Sequence, residues 1–407
     1  MSVNADIVIA GAGLAGSALA IALGKQGWDV LLLDPAPAVP ADAPAEGVNG
    51  FDLRVSALSA GSIAFLNELG AWPQMQARRA TPFAHMSVRD AEGTASVEFN
   101  AADVQVNELG FIVENRVTLQ ALDHVLQTQG RVRCLRGVGV ADAHRHYFGE
   151  GHATHERIVK LDNGDTVNTQ LLVGADGARS WVRELAGFNT REWEYGHRAI
   201  VATIQLQQPH QHTAWQWFHG TGPLAFLPLD DGTDASLVSI VWSCTQAEAE
   251  RLMTLNDDAF ADALTRASQY TLGKVLAVST RAAFPLKQSH ATDYVQPGIA
   301  LVADAAHTLH PLAGQGINLG LKDVKVLAEE LHSARNRGLS PGEPAVLERY
   351  QRRRKGDNLL MMATMEGFKR LFEERALPVR WLRNTGMRLF DASGPIKRQL
   401  VKQAMGL

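Results

Sequence analysis

Cysteine is scarce in this chain, which has only Cys134 and Cys244 among 407 residues. The two lie far apart in sequence and form no metal-ligand spacing, so we expect no metal site. A chain with so little cysteine also fits a reducing cytoplasm.

Long apolar runs are missing as well. No stretch is long enough to span a bilayer, and residues 1–10 lack the basic start and cleavage site of a secretory signal. The formal net charge of −4 gives no global signal for nucleic-acid binding. An apolar content of 46% and a charged content of 20% are typical of a soluble globular protein, and the length suggests two or three domains. We therefore expect a cytoplasmic protein that does not bind nucleic acid.

The first motif present is a glycine turn after a short apolar strand. The strand is predicted at residues 6–10, and Gly11, Gly13 and Gly16 follow it at the start of an Ala- and Leu-rich helix. A second strand ends on Asp34, about 20 residues beyond the glycines. This order favours a dinucleotide site whose acid binds a ribose 2′-hydroxyl, as in FAD or NAD. A glycine-rich turn in an unrelated α/β protein is the alternative.

A second motif lies near the other end of the chain. A strand at residues 299–303 ends on Asp304, and a loop with Pro311 and Gly314 leads into a helix that begins near Gly316. A carboxylate there can bind a sugar-like hydroxyl, and free N–H groups at a helix start can bind a negative charge. A flavin offers both groups. The alternative is a helix that is merely capped by glycines. It does not explain why the loop carries these side chains: His307, His310, Pro311 and Gln315.

Three charged residues stand at the ends of other predicted elements. Arg54 precedes a helix, and Arg116 begins the next one, so each is placed to contact a phosphate or a ribityl hydroxyl. A solvated surface arginine is the alternative for both. Asp176 follows an apolar strand, as the acids of the first two motifs do, and glycines stand on either side of it at Gly174 and Gly177.

An aromatic face is predicted on strands in the middle of the chain. Trp217, Phe226 and Pro228 lie on strands of one antiparallel sheet, which also carries other aromatic residues. Such a face is more often protein core than binding site. The functional interpretation assigns these three residues to an apolar substrate lying on the sheet.

Together the motifs resemble the FAD-dependent aromatic hydroxylases of the p-hydroxybenzoate hydroxylase fold, and within them the ubiquinone-biosynthesis hydroxylases. The segments that carry the resemblance are spread over nearly the whole chain: residues 52–57, 113–116, 222–229, 310–320 and 403–407. The resemblance implies a mixed α/β fold. Its parts are a Rossmann-like FAD-binding domain in discontinuous segments (1–80, 116–190 and 285–340), an antiparallel-sheet substrate domain (81–115 and 191–284) and a C-terminal helical region (341–407).

The resemblance also implies roles for single residues. It assigns FAD binding to Gly11, Gly13, Gly16, Asp34, Arg54, Arg116, Asp176, Asp304, Pro311, Gly314, Gly316, Ile317 and Asn318. We place the catalytic positions in the flavin loop, at His310, Pro311 and Gln315, without identifying a base. Two departures from the family pattern are expected to weaken FAD binding slightly: Ala303 in place of the usual glycine, and Asp34 in place of a glutamate.

By resemblance, the activity is aromatic hydroxylation with O₂ and with NADPH or NADH as co-substrate. A flavin C4a-hydroperoxide would transfer oxygen to a phenolic ring. The implied substrate is a polyprenylated phenol on the route to ubiquinone, with C5 of 2-polyprenylphenol favoured over the sibling C6 and C1 positions. Two rivals stay open: a flavin enzyme that inserts no oxygen, and a non-catalytic FAD-binding partner of a biosynthetic complex.

The end of the chain is basic. Residues 351–407 carry 13 Lys and Arg against five Asp and Glu, although the whole chain is acidic. A basic amphipathic segment can lie on an anionic membrane surface, here the inner face of the cytoplasmic membrane. A helical segment packed on the body, or a subunit interface in a homo-oligomer, is the alternative, and we favour packing. Other ubiquinone-biosynthesis proteins are the expected partners.

Overall fold

A computed structural model describes residues 2–37, 47–148, 152–230, 232, 235–308, 316–373 and 377–406. Its first-half strands are β1 Ser2–Ala10, β2 Val30–Asp34, β3 Val55–Ser59, β4 Thr81–Phe83, β5 His85–Asp90, β6 Ser96–Asn100, β7 Gly110–Glu114, β8 Val132–Arg136, β9 Val140–Phe148, β10 His152–Leu161 and β11 Thr166–Gly174. Its second-half strands are β12 Thr190–Leu206, β13 Thr213–His219, β14 Gly222–Leu229, β15 Leu237–Thr245, β16 Val275–Val278, β17 Ala282–Ala291, β18 Val295–Gln296, β19 Ile299–Leu301 and β20 His307–Thr308.

The helices fall mainly at the two ends of the chain. They are α1 Leu14–Lys25, α2 Ala60–Leu69, α3 Trp72–Arg78, α4 Asn115–Gln127, α5 Trp181–Leu185, α6 Gln246–Met253, α7 Asp257–Ala267, α8 Gly316–Asn336, α9 Pro344–Glu373, α10 Leu377–Ala392 and α11 Gly394–Met405. Within the described ranges, no helix combines the length and the apolarity needed to cross a membrane.

The first sheet has the strand order β18-β19-β11-β1-β2-β8. Strands β19, β11, β1, β2 and β8 run parallel to one another, β18 pairs antiparallel with β19, and β10 pairs antiparallel with both β11 and β9. Ile7, Val8 and Ile9 are fully buried in succession, as expected of a parallel strand covered on both faces. Because parallel strands end at one edge, the glycine turn, Asp34, Asp176 and Asp304 meet at the carboxyl edge of this sheet.

The second sheet has the order β20-β17-β12-β15-β14-β13-β5-β6, and β16 pairs with β12. Its strands are antiparallel except where β13 pairs with β5. One face packs against α6 and α7 and the other against the small sheet β3-β7-β4. These layers confirm the predicted mixed α/β class, with its FAD-binding part, its antiparallel sheet and its helical end.

Several local predictions differ from the structure. The helical pattern of residues 248–267 in the sequence predicts one helix. The structure has two, α6 and α7, because the Asn256 side chain accepts the N–H of Ala259 and begins a new helix. The strand predicted at 299–303 ends at Leu301, and Asp304 lies in a short 3₁₀ turn. The domain limits expected at 190/191 and 284/285 fall at the start of β12 and inside β17, and the division into domains stays a prediction.

The last helices pack on the protein body. Arg383 of α10 makes a buried ion pair of 2.6 Å with Asp90 of β5. Phe372 of α9 stacks on Phe218 of β13 with ring centroids 4.0 Å apart. Met405 of α11 is buried in the core beneath the second sheet. In these contacts the C-terminal segment covers the substrate-domain sheet.

Candidate active site

The glycine turn is shaped by close backbone approach. Gly11 has φ +101°, and a Cβ there would lie 2.4 Å from the carbonyl oxygen of Ala175. A Cβ on Gly16 would lie 1.8 Å from the carbonyl oxygen of Gly11. A Cβ on Gly13 would meet no atom within 4 Å, so the turn opens to solvent at that residue. Two glycines therefore close the turn, and the third leaves room for a ligand.

Helix α1 begins at this opening without a capping hydrogen bond from a side chain. Gly13 is its N-cap residue, no side chain bonds the first turn, and the first turn has no acidic residue. Unpaired N–H groups and the positive end of the helix dipole favour an anion here. The Asp34 carboxylate stands beside the turn, where it accepts the N–H of Ala12 at 2.7 Å and that of Ala36 at 2.8 Å. These residues fit a pyrophosphate with its ribose, as FAD requires.

The Asp304 turn is strained at its first residue. Ala303 has φ +53°, in the left-handed region that non-glycine residues avoid. Glycine is usual at this position in the family that the sequence resembles, and the conformation supplies the physical reason. Asp304 is exposed to solvent, yet the protein atoms around it partly desolvate its carboxyl and raise the pKa of that group. His307 and Arg54 lie close enough to oppose that rise.

Behind this turn lies a buried ionic network that the sequence patterns did not reveal. Asp323 is fully buried and bonds His307 at 2.5 Å and Arg354 at 2.7 Å. Asn358 links Asp323 to the hydroxyl of Tyr294. His307, a candidate polar group near the flavin, is therefore held by Asp323 and is only 2% exposed. Arg354 and Asn358 continue the face of α9 that begins at Tyr350, at intervals of four residues. Polar residues at the spacing of an apolar helix face were the signal that could have revealed them.

Of the two arginines predicted to contact phosphate, Arg116 pairs with a buried acid, Glu114, and Arg54 does not. Glu114 accepts the N–H of Asp52 at 2.7 Å and pairs with Arg79 at 3.1 Å and Arg116 at 3.6 Å. Glu114 thus fixes the segment that precedes β3 and carries Arg54. Arg54 itself is exposed, with its guanidinium 6.0 Å from the ring centroid of Phe284. The roles of Arg54 and Arg116 toward FAD stay predictions.

The Asp176 carboxylate is hydrogen-bonded to the start of the helix that follows it. Its carboxylate accepts the hydroxyl of Ser180 and the N–H of Val182, at the start of α5. Its Cα would lie 2.8 Å from a Cβ on Gly11. The backbone of Asp176 therefore packs against the glycine turn, and its role toward FAD stays a prediction.

Part of the flavin loop lies outside the described residues. Of the predicted positions there, Gly316 and Ile317 are half-buried at the start of α8. Asn318 is buried, and its amide accepts the Ser59 N–H at 3.0 Å and donates to the Ala57 carbonyl at 2.8 Å. Its side chain therefore anchors α8 to β3. The positions outside the described residues are His310, Pro311, Gly314 and Gln315.

The prediction that Trp217 and Phe226 contact substrate is wrong for this fold. Both are fully buried in the core between the second sheet and helices α6 and α7. Side chains alternate along a strand, so Pro228 shares their face. The face toward the FAD-binding part carries the other set, and Phe284, 44% exposed, belongs to it. The alternative interpretation of these aromatic residues, that they belong to the protein core, is therefore confirmed.

Comparison with known proteins agrees with this architecture. The chain matches the FAD binding domain family over residues 4–360. It is 37% identical to 3-demethoxyubiquinol 3-hydroxylase of Escherichia coli (strain K12), over 99% of this chain and 98% of that protein. It is 36% identical to ubiquinone hydroxylase UbiL of Rhodospirillum rubrum, over 99% of this chain and 90% of the relative. The human ubiquinone biosynthesis monooxygenase COQ6, mitochondrial, is 33% identical over 97% of this chain and 91% of its own length.

Solved structures show the same fold. p-Nitrophenol 4-monooxygenase PnpA of Pseudomonas putida superposes with a TM-score of 0.78 at 17% identity, covering 99% of this chain and 98% of that chain. HpxO of Klebsiella pneumoniae, solved with FAD and uric acid, superposes with a TM-score of 0.73 at 16% identity, covering 98% and 96%. The family match and the curated relatives establish the identity that the fold alone leaves open. This chain belongs to the FAD-dependent hydroxylases of ubiquinone biosynthesis and is an FAD-dependent monooxygenase.

Proposed function

We propose that this protein hydroxylates the ring of a polyprenylated phenol on the route to ubiquinone. The observation that carries the proposal is the 37% identity to a demethoxyubiquinol hydroxylase over 99% of the chain. Bound FAD supplies the activation of O₂ with electrons from NADPH or NADH. The residues of this chain bind the cofactor, orient the ring and exclude water.

In this proposal, the substrate ring lies between the second sheet and the Asp304 turn. Phe284 of β17 is the exposed aromatic side chain on the sheet face toward Arg54. Strand β17 pairs with β20, which follows the Asp304 turn directly. An aromatic face so close to the cofactor segments suits a phenol ring with an apolar chain. Phe284 thus replaces Trp217 and Phe226 as the proposed substrate contact.

Two ring positions compete. The resemblance in the sequence favours C5 of 2-polyprenylphenol, whereas the name of the Escherichia coli relative favours the 3-position of demethoxyubiquinol. The sibling C6 and C1 hydroxylases share the same fold and cofactor. We propose hydroxylation within this set and let the experiment choose the position.

Purified holoenzyme is to be supplied with NADH or NADPH in air, together with a short-chain 2-prenylphenol or a short-chain demethoxyubiquinol. Product analysis by mass spectrometry then reports the position. A hydroxylated product from either substrate supports the proposal and selects the ring carbon. Pyridine nucleotide oxidation without hydroxylated product from any pathway intermediate favours a flavin enzyme that inserts no oxygen. Absence of flavin reduction favours a non-catalytic FAD-binding partner.

We also propose that the enzyme works at the inner face of the cytoplasmic membrane, where a polyprenylated substrate resides. Leu360, Leu371 and Leu389 are exposed on α9 and α10, and Arg398 and Lys402 are exposed on α11. Exposed apolar side chains beside basic ones suit an anionic lipid surface.

Liposome flotation tests this idea with the charge-reversing pair Arg398→Glu and Lys402→Glu. We expect the wild type to float with vesicles containing anionic lipid and the double variant to float less. The matched control reverses two exposed cations of the substrate domain, Arg266→Glu and Lys274→Glu. Equal flotation of all three proteins would remove the membrane role and leave these helices as packing elements.

A further inference from the structure

Asp323 of helix α8 has no exposed surface and accepts hydrogen bonds on both carboxylate oxygens. Oδ2 accepts the backbone N–H of Ala303 at 3.1 Å and a nitrogen of the His307 ring at 2.5 Å. Oδ1 accepts Nε of Arg354 at 2.7 Å and the amide of Asn358 at 3.2 Å. One carboxylate on α8 therefore joins four groups from two other parts of the chain, the Asp304 turn and helix α9.

Two of these groups are the ends of the turn that carries Asp304. Ala303 comes just before Asp304, and His307 is three residues after it. A single Asp323 oxygen binds both ends, so the path of the chain between them is fixed. Ala303 is held there in a left-handed conformation that an alanine would not choose in an isolated turn.

The other oxygen of Asp323 ties the turn to helix α9. Arg354 is fully buried, and its guanidinium also donates to the amide oxygen of Asn358 at 2.7 Å. The Tyr350 hydroxyl, one turn earlier on α9, donates to the carbonyl of Leu301 at 2.8 Å. Helix α9 therefore supports both the strand before the turn and the carboxylate behind it.

The charges within the network are compatible with an ionised Asp323. Desolvation opposes ionisation, but His307 and Arg354 outweigh it and hold the pKa of Asp323 below its usual value. A buried carboxylate with four donors is pre-organised and has no acceptor capacity to spare for a ligand. Asp323 thus lacks the features of a cofactor contact and has those of a supporting residue.

We propose that Asp323 is a positioning residue for FAD, which acts by holding the Ala303–His307 turn so that the Asp304 carboxylate points at the cofactor. This inference rests on Asp304 as a FAD-binding residue and is independent of the phenol substrate. The FAD-binding test described next can therefore contradict the role of Asp323 without contradicting the proposed hydroxylation. Likewise, a failure to hydroxylate a phenol would leave the role of Asp323 intact.

The test is a double-mutant cycle on apoprotein, titrated with FAD and followed by quenching of flavin fluorescence. The variants are Asp323→Asn, Asp304→Asn and the two combined. Loss of a charge-assisted hydrogen bond predicts that Asp323→Asn raises the Kd for FAD about tenfold in the wild-type background. In the Asp304→Asn background, the same change is expected to raise the Kd less than about twofold, because the carboxylate whose position Asp323 controls is already gone.

A merely structural role predicts a different pattern. Asp323→Asn would then lower the Tm of FAD-free protein and multiply the Kd by the same factor in both backgrounds. Equal factors, or an unchanged Kd in the Asp323→Asn protein, would overturn the proposal. So would an unchanged Kd in the Asp304→Asn protein.

A matched control comes from the same pair of helices. Glu330 of α8 pairs with Arg349 at 2.9 Å and Arg353 at 2.9 Å on α9, and it lies two helical turns further along α8 than Asp323. Glu330→Gln is therefore expected to leave the Kd for FAD unchanged. If Asp323→Asn does not fold, Arg354→Lys takes its place in the cycle, because it keeps the charge and loses the fork geometry. The same non-additivity is expected, and additivity again overturns the inference.

Discussion

At the scale of single residues, Ala303 combines an unfavourable conformation with a tight neighbour. Its φ of +53° costs an L-residue about 1–2 kcal/mol relative to a helical or extended conformation. A Cβ on Gly320 of α8 would lie 2.8 Å from the Cβ of Ala303. The stability effects of substitutions at positions 303 and 320 are therefore coupled, because a side chain at position 320 would clash with the methyl group of Ala303.

This coupling gives a stability prediction. Ala303→Gly is expected to change the free energy of unfolding by less than about 1 kcal/mol, because relief of strain is offset by the added freedom of glycine in the unfolded chain. Gly320→Ala is expected to destabilise the wild type by about 1–3 kcal/mol through the methyl clash. In the Ala303→Gly background, the same change should cost much less. Urea unfolding of the four FAD-free proteins measures the cycle, and additive effects would contradict the clash.

A second prediction concerns Phe284 and Trp217. Phe284→Ala removes an exposed ring from the proposed substrate site, so we expect KM to rise about tenfold, equivalent to roughly 1.4 kcal/mol of lost contact. Its Tm and its Kd for FAD should stay at wild-type values. Trp217→Ala, in contrast, should lose about 3–5 kcal/mol of stability because Trp217 is core. Steady-state kinetics and thermal unfolding separate the two, and an unchanged KM for Phe284→Ala would refute the proposed contact.

At the scale of elements, one ion pair docks helix α10 on the substrate sheet. The carboxylate of Asp90 accepts both Nε and Nη2 of Arg383, at 2.9 and 2.6 Å, and neither side chain is more than 1% exposed. Asn384 also donates to Asp90 at 3.1 Å. Arg383 further donates to the carbonyl oxygens of Leu371 and Phe372 at the end of α9. The pair thus holds two helices and a strand together.

We expect Arg383→Met to destabilise the protein by about 3–5 kcal/mol, since Asp90 would remain buried with its charge uncompensated. Adding Asp90→Asn should recover part of this loss. Urea unfolding measures the change, and limited proteolysis should cut the C-terminal helices of the single variant first. An equally stable and equally resistant Arg383→Met protein would show that α10 docks by apolar contact alone.

At the scale of the whole molecule, a buried histidine lies where the two sheets meet. His290 of β17 bonds the Tyr294 hydroxyl at 3.0 Å and is 4% exposed. Burial, with His307, Lys355 and Arg191 nearby, lowers the pKa of His290 to about 4. The folded protein therefore keeps this imidazole neutral at a pH where the unfolded chain protonates it.

This difference predicts acid sensitivity with a definite sign. Between pH 6.5 and about 4 the unfolded state binds more protons at His290, so the free energy of unfolding falls as pH falls through this window. The full loss is about 3 kcal/mol at most. His290→Gln can keep a bond to Tyr294 without titrating, so its stability should fall less steeply. Chemical unfolding at several pH values compares the slopes, and parallel curves would contradict the shift.

Most of the fold was accessible from the sequence because its signals are local. A glycine turn after an apolar strand, an acid at a strand end and the apolar start of a helix each occupy a few consecutive residues. Strand β1 and the Gly11 to Gly16 turn are of this kind. The break between α6 and α7 was not predicted, because a single asparagine cap decides it within an otherwise continuous helical pattern.

The sequence by itself determined the cofactor class, since the residues that define a dinucleotide turn and its acid are fixed by backbone sterics and charge. Only the tertiary structure decided which face of the second sheet is core. Side chains alternate along a strand, so the sequence shows that Trp217 and the residues next to it face opposite sides of the sheet. Which layer covers each side depends on helices that are distant in sequence. The same holds for Asp323, whose partners His307 and Arg354 stand 16 and 31 residues away and meet it only when α8 and α9 pack behind the turn.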